Sequence, residues 1–114
     1  MVIEFSVSVD SNGLLPVVRV VGEIDVYTCP KLHKVLTELM GESSSSVVLD
    51  LQEVHYIDST GLGTIAHSAR QLSKENRHMH VVTARPQVKK IFEISGLTSK
   101  NIRLFEEESH ACAE

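Results

Sequence analysis

Residues 47–63 read VVLDLQEVHYIDSTGLG and place a strand, a corner and the start of a helix in one short stretch. Residues 47–51 predict a central, parallel strand, because a strand buried on both faces is a nearly continuous apolar run. From residue 62 to about residue 72, the apolar positions recur at helical spacing. Ser59 is therefore expected at a strand-to-helix corner, with its hydroxyl near the helix N-terminus. Either Asp58 or Ser59 can cap that helix by accepting a hydrogen bond from an unpaired N–H group.

Two glycines, Gly61 and Gly63, fall in the first turn of the same helix. Each costs about 1 kcal/mol relative to alanine in a helix interior. Glycine at such positions indicates that another group comes close to the backbone. The corner is therefore expected to present an exposed hydroxyl, at the positive end of a helix, to another macromolecule.

The residues before the corner predict a hairpin and a first helix. Residues 3–9 alternate between apolar and polar side chains, which is typical of a half-exposed edge strand. The turn residues Asp-Ser-Asn-Gly at 10–13 lead into a returning strand at 15–21. Residues 22–25 are expected to leave this strand as a loop, and Thr28 is a candidate cap for the helix that follows.

The residues after the corner predict two more strands and one more helix. These are a strand at 79–83, a helix from Pro86 to Gly96 and a strand at 102–105. The order β-β-α-β-α-β-α-β predicts a single α/β domain at residues 1–105, with a mixed, mostly parallel β-sheet and helices mainly on one face. Residues 106–114 are acidic and weakly patterned, which indicates a short helix or a tail.

Composition restricts the class of protein. The chain has 114 residues, enough for one domain, with 42% hydrophobic and 23% charged residues. A net charge of −4 gives no general reason to bind nucleic acid, and no apolar run approaches the roughly 20 residues that insert across a membrane. The first residues lack the basic segment of a secretory signal. Cys29 and Cys112 have no zinc or redox spacing, so we expect a reducing, cytoplasmic location.

Enzymatic interpretations of the corner have little support. Ser59 does not lie in the G-x-S-x-G motif of hydrolases. His55 is near in sequence, but a nucleophilic serine also needs an oriented base and an oxyanion site. Residues 58–61 differ by one position from the Asp-Thr-Gly signature of aspartic proteases, and no second copy supplies the partner carboxylate. We therefore expect no enzymatic activity.

Phosphate-binding loops, cofactors and metals have equally little support. The segment Gly61-Leu62-Gly63 lacks the lysine of a phosphate-binding loop. His78 and His80 would point the same way on a strand, but no cysteine or carboxylate completes a zinc ligand set. We expect neither a cofactor nor a metal. The basic residues on and after the second helix, which we expect to be solvated, are Arg70, Lys74 and Arg77.

Two interpretations of Ser59 are left open by the residues alone. A serine that is modified by another protein needs exposure and room, and it needs no base or oxyanion site of its own. A serine at a helix N-terminus is also a common structural cap. The residue types at the corner fit both.

Two segments carry a specific resemblance to a known family. The first is Gly22-Glu23-Ile24-Asp25, and the second runs from Leu49-Asp50-Leu51 through Tyr56-Ile57-Asp58-Ser59-Thr60-Gly61-Leu62-Gly63. In these segments and in its element order, the chain resembles the STAS-domain anti-sigma factor antagonists of bacteria. The resemblance implies a single STAS domain that binds an anti-sigma factor, which is also an ATP-dependent serine kinase, and so releases a sigma factor.

The resemblance also implies a site. The kinase phosphorylates the serine after the aspartate of the motif, which is Ser59 here, with Thr60 as the alternative. The phosphorylated form dissociates, and a metal-dependent serine phosphatase resets it. The implied partner-binding residues are Gly22, Glu23, Asp25, Asp58, Gly61, Leu62 and Gly63. STAS domains also occur as accessory subunits of membrane lipid transporters and in partner-switching regulators that do not act through sigma, and both are alternatives.

Overall fold

After a first pair of strands, helices and strands alternate along the chain, as the sequence predicts. The structure, a computed structural model, describes residues 4–99 and 101–113. The strands are β1 (Ser6–Asp10), β2 (Val17–Ile24), β3 (Val47–Ile57), β4 (Met79–Val82) and β5 (Ile102–Phe105). The helices are α1 (Cys29–Glu42), α2 (Ser59–Ser73), α3 (Pro86–Ser95) and α4 (Glu108–Ala113), and a 3₁₀ turn at Leu97–Ser99 follows α3.

The five strands form one sheet in the order β1-β2-β3-β4-β5. β1 pairs antiparallel with β2, while β2, β3, β4 and β5 run parallel to one another. A short turn is sufficient for the antiparallel pair, whereas each parallel pair needs a crossover, and a helix supplies it. The predicted mixed, mostly parallel sheet is confirmed. Ile3, the first residue of the predicted edge strand, lies outside the described residues, and β1 begins at Ser6.

Helices α1, α2 and α3 pack on one face of the sheet and form the main core. Their buried residues recur every three or four positions, so each helix presents one apolar stripe to the strands. In α2 this stripe includes Ile65, Ala69 and Leu72, all fully buried. The strand residues in the same core include Val18, Val20, Leu49, Leu51 and Val81. This packing fixes the direction in which α2 leaves the end of β3.

Helix α4 packs on the opposite face of the sheet. Its Ala111 is fully buried among apolar side chains of the strands. These are Val17, Val48 and Val82. The ring Nδ1 of His80 lies 2.8 Å from the Ala111 carbonyl oxygen, which ties the helix to β4. The C-terminal segment, for which the sequence allows either a helix or a tail, therefore contains a packed helix.

The loop predicted at residues 22–25 begins later than expected. β2 continues to Ile24 because it pairs with the second half of β3. Gly22 has φ +109°, a conformation that other residues rarely adopt, and the register of the ladder shifts directly after it. A Cβ on Gly22 would also lie 3.3 Å from the Phe5 Cα. Glycine therefore permits an irregular strand at this point, and only Asp25 lies beyond the strand.

Arg77 is buried, which contradicts the prediction that it is solvated. Its guanidinium donates to the carbonyls of Met40, Ser43 and Ser45 at 3.2, 2.6 and 2.8 Å. It also forms an ion pair with Glu75 at 2.6 Å. These carbonyls lie at the end of α1 and in the loop after it, where helix carbonyls lack intrahelical partners. Arg77 therefore satisfies the α1 C-terminus, whereas the other two residues of the predicted solvated face are exposed.

Candidate functional site at the β3–α2 corner

Ser59 lies at the corner between β3 and α2, as the sequence predicts. β3 ends at Ile57, Asp58 occupies the N-cap position and α2 begins at Ser59. Ser59 and Thr60 are both exposed, and the Ser59 hydroxyl makes no hydrogen bond within the described part of the chain. An exposed hydroxyl without a hydrogen-bonded base suits a substrate for modification better than it suits a nucleophile.

Asp58, rather than Ser59, is the cap of α2, and it also binds a second segment. Its Oδ1 accepts a hydrogen bond from the Gly61 N–H at 2.8 Å. Its Oδ2 accepts one from the Val26 N–H at 3.2 Å, and its own backbone N–H donates to the Ile24 carbonyl at 3.1 Å. The single carboxylate therefore joins the first turn of α2 to the segment that connects β2 with α1.

That connecting segment, residues 25–28, is held by its own side chains, and we call it the 25–28 loop. Asp25 Oδ1 accepts hydrogen bonds from the N–H groups of Tyr27 and Thr28 at 2.9 and 3.0 Å. The Thr28 hydroxyl accepts from the Asp25 N–H at 2.9 Å and donates to the Glu23 carbonyl at 2.8 Å. Thr28 does occupy the N-cap position of α1, but its hydroxyl bonds backward and caps no helical N–H. The loop is thus an Asx-type turn with a fixed backbone.

The two glycines of the corner have different surroundings. Gly61 is buried, and a Cβ there would lie 2.6 Å from the Ile24 Cγ2 and 2.9 Å from the Ile24 carbonyl oxygen. Gly63 is exposed, and a Cβ there would meet no atom within 4 Å. The close approach expected at Gly61 is therefore made by the chain itself, because α2 packs directly on the end of β2. Only Gly63 leaves open space on the surface.

The 25–28 loop exposes apolar side chains that the sequence motifs did not identify. Val26 is 54% exposed and Tyr27 is 88% exposed. Tyr56, which pairs with Glu23 across the β2–β3 ladder, is 51% exposed. Large apolar side chains that stay exposed beside a candidate site indicate a surface for a partner. A signal was present in the sequence, since two large apolar residues follow directly after the predicted loop.

The corner also borders an apolar groove between α2 and α3. The groove has a volume of about 430 Å³ and is lined by Leu62, Gln87, Lys90, Ile91, Ile94 and Ser95. Leu62 lies three positions after Ser59, so the two residues share one face of α2. Ile94 is 74% exposed, which is unusual for so large an apolar side chain. The sequence contained a signal for this exposed residue, because Ile94 is apolar but lies outside the buried stripe of α3.

The corner carries carboxylates without counter-charges. Glu23, Asp25 and Asp58 take part in none of the ion pairs that the described residues form.

Nowhere in the described part of the chain do three or more His, Cys, Asp or Glu side chains gather as a metal site. None of the described helices is long and apolar enough to cross a membrane.

Comparisons with known sequences agree on one family. The profile of the STAS domain matches residues 6–111. The anti-sigma-B factor antagonist of Staphylococcus aureus is 35% identical over 80 residues, which cover 70% of this chain and 74% of that protein. The anti-sigma-B factor antagonist of Staphylococcus epidermidis has the same identity over the same length.

Comparisons with solved structures agree on the fold. The crystal structure of an anti-sigma factor antagonist from Mycobacterium paratuberculosis has a TM-score of 0.87 at 27% identity, covering 96% of this chain and 92% of that chain. The phosphorylated form of the Bacillus cell fate determinant SpoIIAA has a TM-score of 0.69 at 19% identity, covering 94% of this chain and 96% of that chain. At the lower identity the likeness concerns the fold alone.

Proposed function

The chain belongs to the STAS domain family, and from this premise we propose that it is an anti-sigma factor antagonist whose binding is ended by phosphorylation of Ser59. Its partner is an anti-sigma factor with serine kinase activity, and binding that partner releases a sigma factor. The observation that carries the proposal is the Ser59 hydroxyl, which is exposed and unbonded beside two exposed apolar surfaces. The sequence likeness to anti-sigma-B factor antagonists supports the same assignment.

The 25–28 loop and the α2–α3 groove supply the contact area that a docking surface needs. Interfaces draw most of their affinity from a few apolar and aromatic anchors surrounded by polar residues. Val26, Tyr27 and Ile94 are exposed anchors of this kind, and Leu62 continues the groove toward Ser59. The predicted partner-binding residues Glu23, Asp25, Asp58 and Gly63 lie on or next to these surfaces. Gly22 and Gly61 are buried, so we assign them to the shape of the surface rather than to contact.

Phosphorylation changes the charge of this surface more than it changes the fold. A phosphate adds about −1.5 to −2 charges at neutral pH, and an exposed helix N-terminus stabilises such charge by about 0.3–1 kcal/mol. A partner carboxylate about 6 Å away repels each unit charge by roughly 3 kcal/mol at an effective dielectric constant of about 20. Because about 1.4 kcal/mol is a tenfold change in affinity, one such contact is enough for release.

The remaining steps of the proposal follow the family. A metal-dependent serine phosphatase removes the phosphate and restores binding, and the cycle takes place in the cytoplasm without nucleic acid as a direct partner. Thr60 is the alternative phosphorylation site, because it is also exposed and lies one position further along α2.

Calorimetry with the kinase from the same organism tests the proposal. We expect Ser59→Ala to bind like the unphosphorylated wild type and Ser59→Asp to lose at least tenfold in affinity. Ser44→Asp is the matched control, because it adds an equal charge at an exposed serine in the loop after α1, at the opposite end of β3 from Ser59. Incubation with the kinase and ATP, followed by mass mapping, should place the phosphate on Ser59. Equal affinities for Ser59→Ala and Ser59→Asp would contradict the proposal.

A further inference from the structure

The carboxylate of Asp58 connects the serine corner to the 25–28 loop, and this connection has a consequence for partner recognition. We propose that Asp58 is a positioning residue that holds Tyr27 at a fixed distance from Ser59, and that Tyr27 is the anchor by which the kinase docks. The proposal rests on the proposed function, since its partner is the same kinase. Beyond the proposed function, it identifies Tyr27 as the residue that sets the docking position and Asp58 as the residue that maintains it.

The first support is the surface that Tyr27 presents. The side chain is 88% exposed, although tyrosine carries a large apolar ring. Its hydroxyl makes no hydrogen bond within the described part of the chain. Tyrosine is enriched among the residues that dominate binding energy, because a rigid ring buries much area and its hydroxyl can bond within the partner. The matching kinase surface is a pocket with apolar walls and a polar group at its base.

The second support is the rigidity of the backbone that carries Tyr27. Its own N–H is bonded to Asp25 Oδ1 at 2.9 Å, and the N–H of the preceding Val26 is bonded to Asp58 Oδ2 at 3.2 Å. The N–H of the following Thr28 is bonded to Asp25 Oδ1 at 3.0 Å, so the backbone is held on both sides of Tyr27. An anchor whose backbone is already ordered loses less conformational entropy on binding than one on a mobile loop.

The third support is the position of Asp58, the residue that binds the 25–28 loop. Asp58 directly precedes Ser59, and its other oxygen caps α2 through the Gly61 N–H at 2.8 Å. The end of β2 closes the same junction, because Gly61 packs against Ile24. The backbone that carries Tyr27 is therefore joined directly to the turn that carries Ser59. When Tyr27 occupies its pocket, Ser59 lies at one defined point relative to the kinase.

One substitution at Asp58 separates the positioning role from the cap. Serine is an equally good N-cap but too short to reach a second segment, so Asp58→Ser keeps α2 capped and releases the loop. Thermal unfolding of this variant checks that the fold is retained, and mass mapping checks that the phosphate is on Ser59 and not at position 58.

A double-mutant cycle in a phosphorylation assay tests the proposal, using the full chain, the kinase and ATP. We expect Tyr27→Ala to raise KM at least tenfold with little change in kcat, and Tyr27→Phe to restore most of the loss. Asp58→Ser should also raise KM, and the double variant should be little worse than the poorer single variant, because both remove the same docking contact. Leu14→Ala is the control, since Leu14 is equally exposed at 88% in the β1–β2 loop.

The outcomes distinguish this proposal from the proposed function. If the wild type is phosphorylated on Ser59 but Tyr27→Ala has the KM of the wild type, the kinase docks elsewhere and only this inference fails. Strictly additive losses for Tyr27→Ala and Asp58→Ser would remove the positioning role of Asp58. If the kinase neither binds nor phosphorylates the wild type, both proposals fail together.

Discussion

Replacing Gly61 by alanine tests the contact that holds α2 against β2. An ideal Cβ at this position would lie 2.6 Å from the Ile24 Cγ2 and 2.9 Å from the Ile24 carbonyl oxygen. The second of these atoms belongs to the backbone, so rotating a side chain cannot relieve the contact. Ile24 is also fully buried, and any movement of its side chain would disturb the core.

Two opposing effects decide the size of the change. Alanine favours a helix over glycine by about 1 kcal/mol, whereas overpacking a well-filled site costs about 1–3 kcal/mol. Since both contacts with Ile24 are far shorter than van der Waals distance, the upper part of that range applies. We expect Gly61→Ala to lower the free energy of unfolding by about 1–2 kcal/mol. Gly63 is the matched control in the same turn, and Gly63→Ala should raise the free energy of unfolding by up to about 1 kcal/mol.

Urea unfolding followed by far-ultraviolet circular dichroism measures both variants, since the chain contains no tryptophan for fluorescence. With a slope of about 1–3 kcal/mol per molar urea for a small domain, the unfolding midpoints of the two variants should differ by about 1 M. A Gly61→Ala protein at least as stable as the wild type would refute the packing of α2 on Ile24. The same result would favour the interpretation from sequence, in which Gly61 leaves space for an outside partner.

Two further predictions concern polar groups on either side of the sheet. Burial and a hydrogen bond with Glu108 raise the pKa of Asp50 to about 6, so the wild type should lose stability as the pH rises from about 4 to about 6 and Asp50 ionises. Asparagine at this position cannot ionise. Measured by urea unfolding, the free energy of unfolding of Asp50→Asn relative to that of the wild type should therefore rise by on the order of 2 kcal/mol between pH 4 and pH 7. If the difference between the two proteins is the same at both pH values, the raised pKa is contradicted. Arg77→Met should cost about 3 kcal/mol in the same assay, because it leaves carbonyls at the α1 C-terminus without donors, while the exposed control Arg70→Met should cost less than about 0.5 kcal/mol.

The strand-helix order and the serine corner could be predicted from the sequence because their causes are local. An apolar run followed by a capping residue and a helical stripe fixes β3, Asp58 and α2 without knowledge of distant residues. The resemblance in the same segments gave the family correctly, and the STAS profile matches residues 6–111. Local pattern was thus sufficient for the position of Ser59.

The errors have long-range causes. The extension of β2 to Ile24 depends on pairing with β3, and a glycine followed by a glutamate gives no local sign of a strand. Arg77 is buried because carbonyls more than thirty positions earlier in the chain need a donor. The second hydrogen bond of Asp58 reaches Val26 across a comparable separation. Spacing along the chain carries no information about such contacts.

The rigidity of the corner also determines how the proposed switch must work. A phosphate on Ser59 gains about 0.3–1 kcal/mol from the helix N-terminus, while displacing Asp58 from its two N–H donors would forfeit hydrogen bonds to a charged group at about 1.5–3 kcal/mol each. Moving the Asp58 carboxylate away from the phosphate would break both of these hydrogen bonds, so we predict that the 25–28 loop stays in place and that the fold is the same in both states. Because the surface cannot relax, a kinase docked on it has no way to increase the distance between its own charges and the phosphate. With a fixed corner, the docked kinase therefore experiences the full repulsion from the phosphate on Ser59, whereas a flexible loop could move and reduce it.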